Sequence, residues 1–200
     1  MGFPIKRNIL NSVVLPTLIL FFAFMILFIS LSRAGLEIAA KQQGQYGVVP
    51  VDFIDSIYKL PPVDTLPTSP FYGLKRLRDY LWLTFSNGPV KKSQIALLLS
   101  DKKIAEAIAL FNNDQLEIGL NAGIEAVDKL KYADKLIANY QKEDIFKEQM
   151  EIRIFQTGNA YKEIMTSINN IFGLDEAKYQ QIITDLNKLN EEKQKEKNGD

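Results

Sequence analysis

The chain has 200 residues with 24 basic and 24 acidic side chains, so its formal net charge is zero. It contains no Cys and no His, which excludes disulfides, thiolate chemistry and cysteine zinc sites and removes the commonest general base and metal ligand. A balanced charge gives no long-range attraction for nucleic acid, which needs a markedly basic surface. We therefore expect no cofactor, no metal site and no nucleic-acid partner.

An uncharged apolar stretch, Asn8 to Ser32, lies between Arg7 and Arg33. As an α-helix its 25 residues would extend about 37 Å, which exceeds the roughly 30 Å hydrocarbon core of a bilayer. It is too long for an ordinary cleaved signal peptide, although Ser32-Arg33-Ala34 resembles a cleavage site, so cleavage stays open. The stretch predicts a transmembrane signal-anchor at residues 8–32, behind a short N-terminus of residues 1–7.

The basic residues around this predicted span indicate its orientation. Lys6, Arg7 and the α-amino group precede it, and Arg33 and Lys41 follow it. By the positive-inside rule we expect residues 1–7 in the cytoplasm and the C-terminal domain outside, in a single-pass protein of the cell membrane. The opposite orientation stays open because both sides carry basic residues.

Residues 33–67 combine prolines and glycines with short apolar runs, and no periodicity persists. This composition predicts a linker or stalk. Residues 68–190 have helical periodicity and predict an all-α, mostly antiparallel bundle of four to five helices, and residues 191–200 predict a frayed, charged tail.

The first two helices of the predicted bundle are bounded by Pro70 and by Asn87-Gly88-Pro89. The first carries an apolar stripe of Leu74, Leu77, Leu81 and Phe85. The second begins at Pro89, has an apolar face broad enough to contact two neighbours, and ends near Asn112.

The third predicted helix has a heptad-like, coiled-coil-type seam from Leu116 to Tyr140, introduced by a capping box of Asp114 and Glu117. Gly119 and Gly123 in this seam predict close approach of another backbone. Residues 141–144 contain no Gly or Pro, so the third and fourth helices could also form one continuous helix.

The fourth predicted helix continues the seam, with an interruption or kink near Gly158-Asn159. Gly173 predicts its end, and Asp175 predicts the cap of the fifth helix.

Motifs for nucleotide binding and serine hydrolysis do not occur in the sequence. The carboxylate pairs Asp101 with Glu106 and Asp144 with Glu148 have the residue types for acid/base chemistry, but we expect them on solvated helix faces. The sequence therefore predicts no catalytic, cofactor-binding or metal-binding residues.

A concentration of basic residues on the first two helices, interleaved with Tyr72, Tyr80 and Trp82, is a candidate surface patch for anionic lipid headgroups or an acidic envelope polymer. Its members are Lys75, Arg76, Arg78, Lys91, Lys92, Lys102 and Lys103. The alternative is a solvated face on which Arg78 stacks on Trp82.

About forty residues between Ser69 and Leu110 carry a family resemblance, through Ser69-Pro70-Phe71-Tyr72, Leu74-Lys75-Arg76, Leu83-Thr84-Phe85, Pro89-Val90-Lys91-Lys92 and Lys102-Lys103-Ile104-Ala105-Glu106-Ala107. On these residues the chain resembles a bacterial family of unknown function whose members are secreted or singly membrane-anchored helical proteins. Gly73 and Ser100-Asp101 depart from the pattern. The resemblance implies a helical domain outside the cytoplasm and supplies no active site.

Together these features predict a non-enzymatic, membrane-anchored, extracytoplasmic helical bundle that acts as an interaction or scaffolding module of the cell envelope, with a protein partner there. A second interpretation is a ligand- or lipid-binding sensor that signals through a membrane partner. An envelope hydrolase that uses carboxylates is a third.

Overall fold

The computed structural model describes residue 54 and residues 58–198. In this part of the chain it has no strand and five α-helices: α1 Tyr72–Phe85, α2 Pro89–Phe111, α3 Leu116–Ala138, α4 Ile145–Phe172 and α5 Glu176–Asn198. The prediction of an all-α helical bundle is therefore confirmed for the described residues. The predicted span at 8–32 lies outside them, and none of the described helices is long and apolar enough to cross a membrane.

Helices α2 to α5 alternate in direction, and contacts between helices fix this arrangement. The start of α2 lies beside the end of α3, and α5 runs parallel to α3, as shown by the pairs Ser93–Ala133, Lys178–Glu117 and Lys193–Asp134. Helix α2 contacts α1, α3 and α4, and α1 packs on the bundle through α2. Helix α1 runs antiparallel to α2, because Tyr72 at its start contacts Glu106 near the end of α2.

The core is formed by apolar residues of α2 to α5, and the predicted seams of α3 and α4 are buried almost throughout. The glycines of α3 are close to side chains instead of another backbone. A Cβ atom at Gly119 would lie 2.8 Å from the Phe111 ring, and one at Gly123 would lie 3.1 Å from Ile182 Cδ1. The expectation of a close backbone contact is therefore wrong, and the glycines make room for an aromatic ring and an aliphatic side chain.

Helices α3 and α4 are separate, and α4 is continuous from Ile145 to Phe172 through Gly158. Asp144 caps α4, because its carboxylate accepts a hydrogen bond of 3.0 Å from the Lys147 backbone N–H. The predicted helix end at Gly173 is confirmed, since this residue has the left-handed φ of 59° that glycine tolerates best.

Several predicted helix ends differ from the structure. Helix α1 begins at Tyr72, after a turn in which Ser69 Oγ accepts a hydrogen bond from the Phe71 N–H. The capping box of Asp114 and Glu117 is not formed, because the residue before α3 is Gln115 and its side chain makes no capping bond. Helix α5 continues to Asn198, beyond the point where the sequence predicts fraying.

The described residues before α1 pack against the bundle, although the sequence assigns them to the linker. Ile54 is buried in the core, and Tyr58, Leu60 and Leu66 pack against it. The Tyr58 hydroxyl lies 3.1 Å from Thr157 Oγ1 in α4. The chain that enters α1 is thus part of the folded unit.

Candidate functional site

Helix α1 has its polar side toward the bundle and its apolar side toward solvent. Lys75 is buried, and Tyr72, Asp79 and Leu83 on the same side are half-buried. The predicted apolar stripe lies on the opposite side, and its exposed fractions are 48% for Leu74, 53% for Leu77, 40% for Leu81 and 75% for Phe85. An apolar stripe with helical spacing ordinarily packs against a neighbouring element. In α1, no neighbouring element among the described residues covers this stripe.

The inward side of α1 is held by an ionic cluster with the buried Glu106 at its centre and the half-exposed Glu125 at its edge. Its members are Tyr72, Lys75, Lys103, Glu106 and Glu125. The Glu106 side chain is 1% exposed and pairs with the ammonium groups of both Lys75 and Lys103. Lys75 Nζ also donates to the Thr65 carbonyl at 3.1 Å. Because Glu106 lies on α2, this cluster ties the start of α1 and the residues before it to α2.

Tyr72 completes the hydrogen bonding of this ionic cluster. Its hydroxyl donates to Glu106 Oε2 at 2.9 Å and accepts a hydrogen bond from Lys103 Nζ. Burial and the negative charge of Glu106 raise the pKa of the Tyr72 phenol to about 12, against the opposing effect of Lys103. The phenol therefore stays protonated at neutral pH and keeps donating to Glu106.

Lys103 stays charged inside the protein for a related reason. Burial lowers its pKa, but hydrogen bonds to Glu125 and Tyr72 and the charge of Glu106 together raise the pKa above its ordinary value. Its Nζ lies 2.7 Å from Glu125 Oε2 on α3. The ionic cluster thus joins α1, α2 and α3, and every charge in it has an opposite charge nearby, as buried charges require.

A second buried polar group surrounds Asp101, which lies on α2 five residues before Glu106. Its carboxylate accepts hydrogen bonds from the hydroxyls of Tyr161 and Tyr58. Burial raises the pKa of Asp101, and these hydrogen bonds lower it in part. The expectation that Asp101 and Glu106 lie on a solvated face is therefore wrong, because both carboxylates are buried against hydroxyl or ammonium donors.

A shallow cleft of about 330 Å³ lies between α1, α2 and α3. Its charged lining residues have both signs: Arg76, Glu125, Asp128 and Lys129. Since the two signs offset each other, the cleft has no strong preference for a cation or an anion. Within the described part of the chain, no group of three His, Cys, Asp or Glu residues is placed to hold a metal ion.

The seven residues of the candidate basic patch do not form one surface. Lys75 and Lys103 are buried in the ionic cluster, and Lys102 Nζ lies 3.7 Å from Asp64 Oδ2. Arg78 donates to Asp79 at 2.8 Å, so the structure shows it bound to a carboxylate beside it. The remaining members, Arg76, Lys91 and Lys92, are exposed or half-exposed on α1 and at the start of α2.

Two features of this region were not found from the sequence: the counterion role of Glu106 and the outward direction of the leucine stripe. A signal for the second exists, since Tyr72, Lys75 and Asp79 also recur at helical spacing, opposite the leucines. Comparisons with known proteins add no further signal. The chain matches no family model, no curated protein and no solved structure.

Proposed function

We propose that this chain is a non-enzymatic, membrane-anchored helical bundle that acts as an interaction or scaffolding module of the cell envelope. One observation carries the proposal: α1 is fastened to the bundle by its polar side, so its apolar side is left as a contact surface. We name this surface the outer face of α1 and define it as Leu74, Leu77, Leu81 and Phe85, with Tyr80 and Trp82 at its edges.

The energetics of the two sides support this proposal. A helix that served only to cover the core would bury its leucines, because each buried leucine side chain contributes about 1.5–3 kcal/mol through the hydrophobic effect. In α1 these leucines are exposed, and the burial of Lys75 needs compensation from Glu106. Exposed apolar surface of this kind on a folded protein is typical of binding sites.

The buried carboxylates fit a structural role better than a catalytic one. Glu106 and Asp101 already accept hydrogen bonds from side chains of the bundle. Each is shielded from solvent, so a substrate has no direct access to either. The upstream apolar stretch supports the membrane anchor of the proposal, and the positive-inside rule supports the extracytoplasmic location.

Photo-cross-linking from the outer face of α1 tests this proposal. The full chain is produced in cells with p-benzoylphenylalanine in place of Leu77, and irradiated membranes are searched for lipid or protein adducts by mass spectrometry and gel shift. Ile171 on α4, which is similarly exposed, is the matched control position. We expect adducts from position 77 in clear excess over position 171, and equal yields at the two positions would contradict the proposal.

A further inference from the structure

The outer face of α1 has the residue types of a helix that lies at a membrane surface. Four aliphatic or aromatic side chains form its centre, and Tyr80 and Trp82 lie at its edges with exposed fractions of 65% and 43%. Tyr and Trp are favoured at membrane interfaces because an apolar ring and a polar group share one side chain. The face thus combines an apolar centre with interfacial aromatic edges.

The charges around this face favour an anionic surface. Residues 72–92 contain five basic residues and one acidic residue, and of the five only Lys75 is buried, against Glu106. The acidic residue, Asp79, is half-buried on the inward side, and its carboxylate accepts from Arg78. Arg78 shares the helical spacing of Leu74 and Leu81, and its side chain is 52% exposed, while Lys91 at the start of α2 is exposed as well. Arg76 is exposed on the other side of α1, where it lines the cleft. Basic residues beside an apolar face are typical of helices that bind anionic lipid.

The predicted linker would tether the bundle to the predicted span. Residues 33–53 separate the predicted span from Ile54, which is already buried in the bundle. A segment of 21 residues reaches at most about 70 Å when fully extended. If the span anchors the chain, the bundle cannot move farther than this from the bilayer. The effective concentration of lipid near the bundle would then be high, so a helix face with weak affinity for lipid would still be bound to it.

We infer that the outer face of α1 docks onto the headgroup region of a bilayer that contains anionic lipid, with its leucines and Phe85 at the boundary of the acyl chains. This inference rests on the proposed function and names the partner of its contact surface. A second copy of the chain fits the face less well, because a two-fold contact of this face with itself would bring the basic residues of both copies together.

Trp82 reports directly on this docking because it is the only Trp in the chain and lies at the edge of the face. The full chain is reconstituted into vesicles of phosphatidylcholine and phosphatidylglycerol, with or without bromine atoms on the acyl chains near the headgroup. We expect brominated vesicles to remove about half of the Trp82 emission, because an interfacial helix inserts its apolar face by about 5–10 Å. Bromine near the chain ends should quench less.

Two double variants separate docking from simple proximity to the anchor. The double variant Leu77→Gln and Leu81→Gln should lose most of the quenching and keep the helical circular dichroism signal. The control is the double variant Ile152→Gln and Ile171→Gln, which changes two similarly exposed apolar residues on α4. It should leave the quenching unchanged. Vesicles of phosphatidylcholine alone should give weaker quenching than the anionic vesicles.

Equal Trp82 emission in brominated and unbrominated anionic vesicles would overturn the inference. Blue-shifted but unquenched emission would overturn it too. If the blue shift depended on the protein-to-lipid ratio, the face would be covered by a second copy of the chain. If it did not, the face would be covered by the chain's own N-terminal residues. If Trp82 is unquenched while position 77 cross-links to a protein, the lipid inference fails and the proposed function stands. If Trp82 is quenched and the change of Leu77 and Leu81 to Gln removes the quenching, both stand; quenching that survives this change would overturn the inference.

Discussion

The hydroxyl of Tyr161 in α4 donates a hydrogen bond of 2.8 Å to Asp101 Oδ1 in α2, and both side chains are buried. The other carboxylate oxygen, Oδ2, accepts a bond of 3.4 Å from Tyr58, which lies 43 residues earlier in the chain than Asp101. One carboxylate thus joins two helices and the segment that leads into α1. Together with the ionic cluster around Glu106, it determines how α1 is held on the bundle.

Replacement Tyr161→Phe should destabilise the bundle by about 1–3 kcal/mol, because it leaves the buried Asp101 oxygen without its shortest hydrogen bond. Urea unfolding of the full chain in mild detergent, followed by circular dichroism, measures the change. The control Tyr80→Phe removes an exposed hydroxyl and should have little effect. An unfolding free energy equal to that of the wild type would show that this hydrogen bond contributes nothing.

The pH dependence of stability should change in Asp101→Asn. Burial raises the pKa of Asp101 above its ordinary value of 3.8, so the folded protein holds this proton more tightly than the unfolded chain does. Stability from this group is therefore greatest below pH 3.8 and decreases as the pH rises through the folded-state pKa.

Urea midpoints of wild type and Asp101→Asn across the acid range measure this effect. The free-energy difference between the two proteins should shift against the wild type as the pH rises, because the variant has no charge to bury. A difference that is constant with pH, or that shifts in favour of the wild type, would be inconsistent with the buried carboxylate described here.

Replacement Glu106→Gln should destabilise the bundle by about 3 kcal/mol, because it leaves the buried ammonium group of Lys75 without a counterion. The matched control is Glu117→Gln, which removes a carboxylate from an exposed pair with Lys178 and should change stability by about 0.5 kcal/mol or less. Urea unfolding of both variants in parallel measures the contrast. Similar losses in the two would contradict the ionic cluster.

Alanine should have opposite effects on stability at two glycines, because Gly158 in α4 lies close to α5 and Gly73 in α1 has open space beside it. A Cβ atom at Gly158 would lie 2.5 Å from Asn190 Oδ1, so Gly158→Ala should destabilise by about 1–3 kcal/mol through overpacking. Gly73 in α1 has no such neighbour, and Gly73→Ala should stabilise by about 0.5 kcal/mol through helix propensity. Thermal unfolding of both variants tests this; a stabilising Gly158→Ala would refute the close contact.

Much of the bundle follows from local sequence signals. The seams of α3 and α4 have long apolar periodicity, and Gly173 and Asp175 end and begin helices where predicted. The sequence does not decide whether the chain breaks between α3 and α4, because residues 141–144 contain no Gly or Pro. Here the capping carboxylate of Asp144 defines the boundary, and a lone Asp in a polar segment is a weak signal.

The orientation of α1 could not be predicted in the same way. Its two sides both recur with helical spacing, and the leucine stripe alone favours burial. The inward direction of Lys75 depends on Glu106, which lies 31 residues away, and on Tyr72 and Lys103 around it. Contacts between such distant residues leave no periodic signal, so the ionic cluster is visible only in the folded chain, and it decides which of the two periodic sides of α1 faces the bundle.

Both proposals depend on the orientation of α1, which faces the bundle with its polar side. The most direct test is the stability of the double variant Leu77→Ala with Leu81→Ala, measured by urea unfolding beside the core variants Leu97→Ala and Leu130→Ala. We predict a change within about 0.5 kcal/mol for the α1 pair, since both leucines are exposed. Each core variant should lose about 2–5 kcal/mol. A loss of that size in the α1 pair would contradict this orientation, because it would show that these leucines are buried.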